Sequence, residues 1–126
     1  MIKCLKSFLK PTLSRPIVEL RDKNIWIPDS IEDVKKHMKS KNPDLACVYF
    51  HASWNPFMKR INKAFEKICI DNPQVMHIWI DTDKYPTLKY YYDAKVEPTF
   101  IILVNGGELT RIVGDDFEKL LELYER

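Results

Sequence analysis

The chain has 126 residues, 45% of them hydrophobic and 30% charged, with a formal net charge of +2. That length supports one domain around one core, and that charge gives no argument for nucleic-acid binding by the chain as a whole. No apolar run approaches the roughly 18–20 residues of a membrane span, and Cys4, Cys47 and Cys69 fit neither a zinc pattern nor Cys-x-x-Cys. Three such cysteines point to a reducing compartment or to buried thiols.

The charge is unevenly placed. Met1 to Val18 carries Lys3, Lys6, Lys10 and Arg15 and no acid. At about 100° per residue, Ile2, Leu5, Phe8 and Leu9 share one side of a helix and the lysines another. Pro11 and Pro16 would end it. This is the pattern of a mitochondrial targeting segment. The alternatives are a plain basic tail, or an arm that anchors on a partner and supports peripheral membrane association. Residues 1–24 are therefore read as a basic extension and 25–126 as the domain.

Ile25-Trp26-Ile27 reads as a short strand stopped by Pro28. Ser30 with Asp33 resembles a capping box, and Ile31, Val34 and Met38 at helical spacing predict a helix over 31–40. A turn at Lys41-Asn42-Pro43-Asp44 follows. Leu45 to Phe50 is apolar on both faces, as expected of a central strand covered by helices. After Trp54 the spacing predicts a helix with Phe57, Ile61, Ala64, Phe65 and Ile68 inward and Lys59, Arg60, Lys63 and Lys67 outward. Asn72-Pro73 breaks it. Val75 to Asp81 is a second apolar strand, and Pro86 opens a short helix bearing Leu88 and Tyr92 on one face. Thr99 to Val104, an Asn105-Gly106 turn and Glu108 to Val113 make a hairpin. Asp115 is the expected cap of a last helix along Phe117, Leu120, Leu121 and Tyr124. The order β, α, β, α, β, α, β, β, α predicts an α/β fold: a central mixed sheet flanked by helices.

Several stretches in this order resemble the thioredoxin family. Val48-Tyr49-Phe50-His51-Ala52-Ser53-Trp54 resembles the strand running into that family's active site. Trp54, followed by Met58-Lys59, stands where the family has Trp-Cys-Gly-Pro-Cys-Lys. Asp81-Thr82-Asp83, Tyr92 to Phe100 with Pro98 as the cis-proline, and Val104-Asn105-Gly106-Gly107-Glu108 with one additional glycine also match. The resemblance spans residues 25–126 and implies a thioredoxin fold. It also exposes departures. Asn55 and Met58 occupy the two cysteine positions, with Pro56 and Phe57 between, and Tyr49 stands where the family buries a carboxylate. Thiol–disulfide exchange needs an attacking thiolate and a resolving thiol; an amide and a thioether supply neither.

The degenerate active-site positions are thus Trp54, Asn55, Pro56, Phe57 and Met58, with no catalytic residue, cofactor or metal expected. His37, His51 and His77 fall on three different elements and read as scattered structural histidines. Cys47 and Cys69 read as small core hydrophobes. Trp54, Phe57, Glu97 and Pro98, with the consecutive Tyr90 and Tyr91, form the candidate partner-binding set, because exposed aromatics are enriched at interfaces. The resulting expectation is a non-enzymatic accessory subunit of a mitochondrial assembly, bound to other protein subunits: a respiratory-chain complex or the ATP synthase first, the mitochondrial ribosome second. One alternative is a nuclear scaffold, since His51, Trp54, Pro56, Met58 and Lys59 are similar to a small spliceosomal protein of this fold. The other is a monothiol or glutathione-dependent oxidoreductase, which needs an exposed low-pKa thiol near Pro98.

Overall fold

The computed structural model describes residues 24–38 and 45–125. The basic arm and the Lys41–Asp44 turn lie outside the described residues. The elements run β1 (Ile25–Trp26), α1 (Ile31–Met38), β2 (Leu45–His51), α2 (Pro56–Asp71), β3 (Met76–Asp81), α3 (Pro86–Tyr91), β4 (Thr99–Val104), β5 (Gly107–Val113) and α4 (Phe117–Tyr124). The sheet order is β1-β3-β2-β4-β5. β3 pairs parallel with β1 and β2, while β4 pairs antiparallel with β2 and β5. This is the expected mixed sheet.

The strand period of two splits the apolar residues between two faces. Cys47 and Tyr49, with Trp79 and Phe100, pack under Met58, Ile61 and Phe65 of α2 and Leu120 and Tyr124 of α4. Ala46, Val48 and Phe50, with Ile78, Ile80 and Ile101, pack under Val34 of α1 and Leu88 of α3. β2 is therefore buried on both sides, as its unbroken apolar run requires.

Local chemistry sets the element ends. Ser30 Oγ accepts the Asp33 amide at 3.1 Å. The Asp33 carboxylate returns to the Asp29 amide at 3.3 Å. Asn55 caps α2 through its side-chain oxygen, with Pro56 in the first turn. Asn105 and Gly106 both have positive φ, as a two-residue hairpin of the primed type demands. The β4–β5 pairing steps from Ile102↔Thr110 to Leu103↔Glu108, so Leu109 is an extra, bulged residue. The hairpin strand begins at Gly107, one residue before the predicted start.

Two expectations are corrected. The cap of α4 is Asp116, whose carboxylate accepts the Lys119 amide at 3.1 Å. Asp115 stands one residue too early, and its carbonyl accepts the Phe117 amide instead. The inward face of α2 is also rotated. Met58, Ile61, Phe65 and Cys69 are buried, whereas Phe57 is 70% exposed and Ala64 is exposed.

A polar cluster inside the apolar core joins the two ends of the described domain. Asn24 donates from its side chain to the Cys69 and Asn72 carbonyls at the end of α2. Its own carbonyl accepts the His77 amide at 2.7 Å. His77 Nε2 lies 2.8 Å from the Tyr124 hydroxyl of α4. Burial pushes the His77 imidazole down to about 4, so it is neutral near pH 7.

In the unfolded chain an imidazole protonates near pH 6.5. Between that value and about 4, the unfolded state binds more protons than the folded one. Stability present above pH 6.5 is then lost on acidification, by about 3 kcal/mol at pH 4. Urea unfolding at pH 7 and pH 4 is expected to show this loss, and His77→Gln to flatten it. Parallel pH curves for the two proteins would place its source elsewhere.

Candidate functional site

The site is the junction at which β2 ends and α2 begins. The β2 backbone continues its pairing with β3 through His51↔Asp81, and the loop after Asp81 clasps the chain as it turns. Asp81 Oδ1 accepts the Ser53 amide at 3.3 Å and the Asp83 amide at 2.9 Å. Asp83 Oδ2 accepts the Trp54 amide at 2.9 Å. The Thr82 amide donates to His51 O at 2.8 Å. These bonds hold the Trp54 backbone, while its indole remains 72% exposed. Asn55 Oδ1 then accepts the Phe57 amide at 2.9 Å and starts the helix.

The Glu97–Pro98 peptide is cis. Pro98 is buried, and its carbonyl accepts the Gly114 amide at 2.8 Å. The Glu97 carboxylate is engaged by the Lys89 ammonium at 3.2 Å and by the Thr82 hydroxyl at 3.0 Å. Of the expected docking residues, Trp54 and Phe57 present exposed rings, whereas the Glu97 side chain is half-buried and Pro98 is buried. Tyr90 and Tyr91 are exposed as expected, but they belong to another surface. The Tyr91 ring lies under the Lys35 ammonium of α1, 4.6 Å from ring centre to nitrogen.

Met58 is fully buried in the core, so it contributes packing and no surface chemistry. Tyr49, also fully buried, donates its hydroxyl to Asn62 Oδ1 at 2.6 Å. Its ring packs on Phe65, Trp79, Phe100 and His51 at centroid distances of 4.3–5.3 Å. Burial pushes the Tyr49 phenol far up, so it holds its proton throughout the physiological range. Burial also pushes His51 down, against the opposing pull of Asp81, Asp83 and Glu97.

The Cys47 and Cys69 thiols are free and buried. Burial pushes Cys47 up to about 12, against a weaker opposing hydrogen bond from Tyr124. It raises Cys69 as well. Neither is the exposed, low-pKa thiol that the monothiol reading requires. Among the described residues no group of three or more His, Cys, Asp and Glu side chains is placed to hold a metal ion. The side chain of His37 lies outside the described residues, and so does Cys4.

Sequence reasoning missed the work of Asp83. Its link to Trp54 spans 29 residues, and no periodicity announces such a bond.

Two outcomes follow from this geometry. Met58→Ala is expected to cost about 2–5 kcal/mol of unfolding free energy, as a buried deletion does. Phe57→Ala is expected to stay within about 0.5 kcal/mol. Denaturant titrations that rank the two the other way would overturn the assigned phase of α2. Iodoacetamide at neutral pH is expected to label Cys47 and Cys69 much more slowly in the folded protein than in urea, because burial disfavours both thiolates, as read by peptide mapping of each residue.

A family model described as Thioredoxin matches residues 30–125 of the chain. Thioredoxin H5 of Oryza sativa subsp. japonica is 28% identical over 105 residues, covering 83% of this chain and 73% of that protein. The mitochondrial thioredoxin-2 of Schizosaccharomyces pombe is 30% identical over 76 residues, covering 60% of this chain and 57% of that protein. The X-ray structure of Fasciola hepatica thioredoxin superposes with a TM-score of 0.70 at 25% identity, covering 79% of this chain and 96% of that one. With this match over most of its length, and the five-stranded mixed sheet to accompany it, the chain belongs to the thioredoxin family.

Proposed function

We propose that this thioredoxin-family protein is redox-inactive and works by binding other proteins, as an accessory subunit of a mitochondrial assembly. One observation carries the reading. The helix N-terminus that would activate a thiol bears Asn55, Pro56, Phe57 and Met58 and no sulfhydryl. Family membership alone points to disulfide exchange. The chemistry of these particular residues points away from it, because neither an amide nor a thioether forms a mixed disulfide. Tyr49 adds to the case. It fills the position of the family's buried carboxylate with a phenol that releases no proton near neutral pH. The remaining described thiols are sealed in the core, which weighs against the monothiol alternative.

Binding is the use left to the exposed Trp54 and Phe57 rings, held on a backbone that hydrogen bonds fix in place. Pre-ordered aromatic groups lose little freedom on association, and aromatic anchors dominate many interfaces. The mitochondrial placement draws support from the acid-free basic segment Met1 to Val18 and from the mitochondrial relative. A respiratory-chain complex or the ATP synthase is the first choice of assembly, and the mitochondrial ribosome the second. In this reading residues 1–24 are the targeting or anchoring arm, save for Asn24, which the domain core holds, and 25–126 the binding domain.

The purified protein is expected to reduce insulin disulfides no faster than a heat-denatured control, in the presence of thioredoxin reductase and NADPH. In fractionated native extract it is expected to migrate within a large mitochondrial complex. The Trp54→Ala, Phe57→Ala double variant should unfold like the parent yet leave that complex. Turnover clearly above the control, or migration as a free 15.0 kDa monomer, would refute the reading.

A further inference from the structure

A second surface lies on the opposite face of the sheet, between α1, α3 and the β4–β5 hairpin. A pocket of about 220 Å³ opens there. Met38, Ile101 and Leu103, all buried, form its base. Tyr91 and Tyr92 line its side, and Lys35 and Glu108 are its charged members. It is separate from the Trp54 tip. Leu103 pairs with Ala46 near the start of β2, whereas Trp54 follows the end of that strand.

The size and the charge state of this pocket decide its ligand. Its volume falls below the roughly 300 Å³ at which small-molecule pockets begin, and suits a single apolar side chain. The two charged members are not equivalent. Both Glu108 oxygens are engaged by Arg111, at 2.7 and 2.9 Å. Arg111 is itself held by the Tyr92 and Asp93 carbonyls at 3.0 and 2.8 Å. That carboxylate is paired within the hairpin. Lys35, by contrast, lies against the face of Tyr91 and forms no ion pair among the described residues. Among the described residues the pocket thus presents an apolar base under one positive charge that has no acidic partner, and tyrosines beside it are suited to a protein interface.

We propose that this pocket receives one apolar side chain from a segment of a partner protein that carries an acidic residue next to it, with Lys35 meeting the carboxylate. This surface is additional to the Trp54 tip, and the proposal does not depend on the absence of redox activity. The test uses blocked tripeptides: a central phenylalanine flanked by aspartates, the same ring flanked by lysines, and a central alanine flanked by aspartates. Methyl NMR signals of Met38, Ile101 and Leu103 are followed at millimolar peptide.

The aspartate-flanked ring is expected to shift all three signals, binding about two- to fivefold more tightly than the lysine-flanked ring. The alanine peptide should shift none of them. Lys35→Glu, a change on the helix surface, should reverse the order of the two ring peptides without altering the unfolding midpoint. Equal shifts from both ring peptides, an unchanged order in Lys35→Glu, or shifts centred on the Trp54 indole would overturn the proposal. None of these outcomes bears on insulin reduction or on co-migration with a complex, so the two readings fail separately.

Discussion

The burial of Tyr49 at the centre of the sheet governs the geometry of everything around it. Its register partners are Trp79 on one side and Phe100 on the other, and Phe65 of α2 lies across its ring. Aromatic pairs of this kind add about 0.5–1.5 kcal/mol each beyond the area they bury. The hydroxyl at the end of the ring would be costly to bury alone, and Asn62 offsets that cost by accepting its hydrogen bond. The contact therefore locks α2 to β2 in position and rotation. A titrating group at this place would need a charged partner or a water path. The phenol needs neither, so the core gains packing at this place.

What this rigidity produces is a tip whose polar and apolar parts have separate tasks. The backbone at Ser53 and Trp54 is satisfied by carboxylates of the neighbouring loop. The rings of Trp54 and Phe57 take no part in that support and face solvent. Two large aromatic rings three residues apart are thus left exposed on one short stretch of chain. Glu97 is tied to Lys89 and Thr82 and Pro98 to Gly114, so in the proposed binding role the exposed side chains of the tip are the two rings.

The residues first grouped as one partner-binding set fall on two surfaces. Tyr91 turns toward α1 and the hairpin pocket, and Trp54 and Phe57 toward the end of β2. The sheet between them is packed on both faces. Two separate surfaces would let the protein join two neighbours, in keeping with the accessory role proposed for it.

Much of the fold was legible in the residues themselves. Continuous apolar runs identified β2, β3 and β4 as buried strands, and Asn105-Gly106 specified the hairpin because few other pairs tolerate two positive φ angles. The missing thiols were equally plain, since which functional group a residue carries is fixed by its identity and not by its surroundings. Phase and partnership were not legible. Phe57 and Met58 are both apolar and about 100° apart on the helix, and only the packing of the helix on the sheet shows which one turns inward. Asp115 and Asp116 are both able caps; the third residue on from the true one supplies the amide, and that depends on where the helix starts. Asp83 with Trp54, and Asn24 with His77 and Tyr124, are joined across long stretches of chain. Hydrophobic periodicity reports which residues seek burial, because that tendency is local and additive. The bonds that shape the tip and the pocket arise only when the sheet brings distant segments together, so tertiary structure alone decided them.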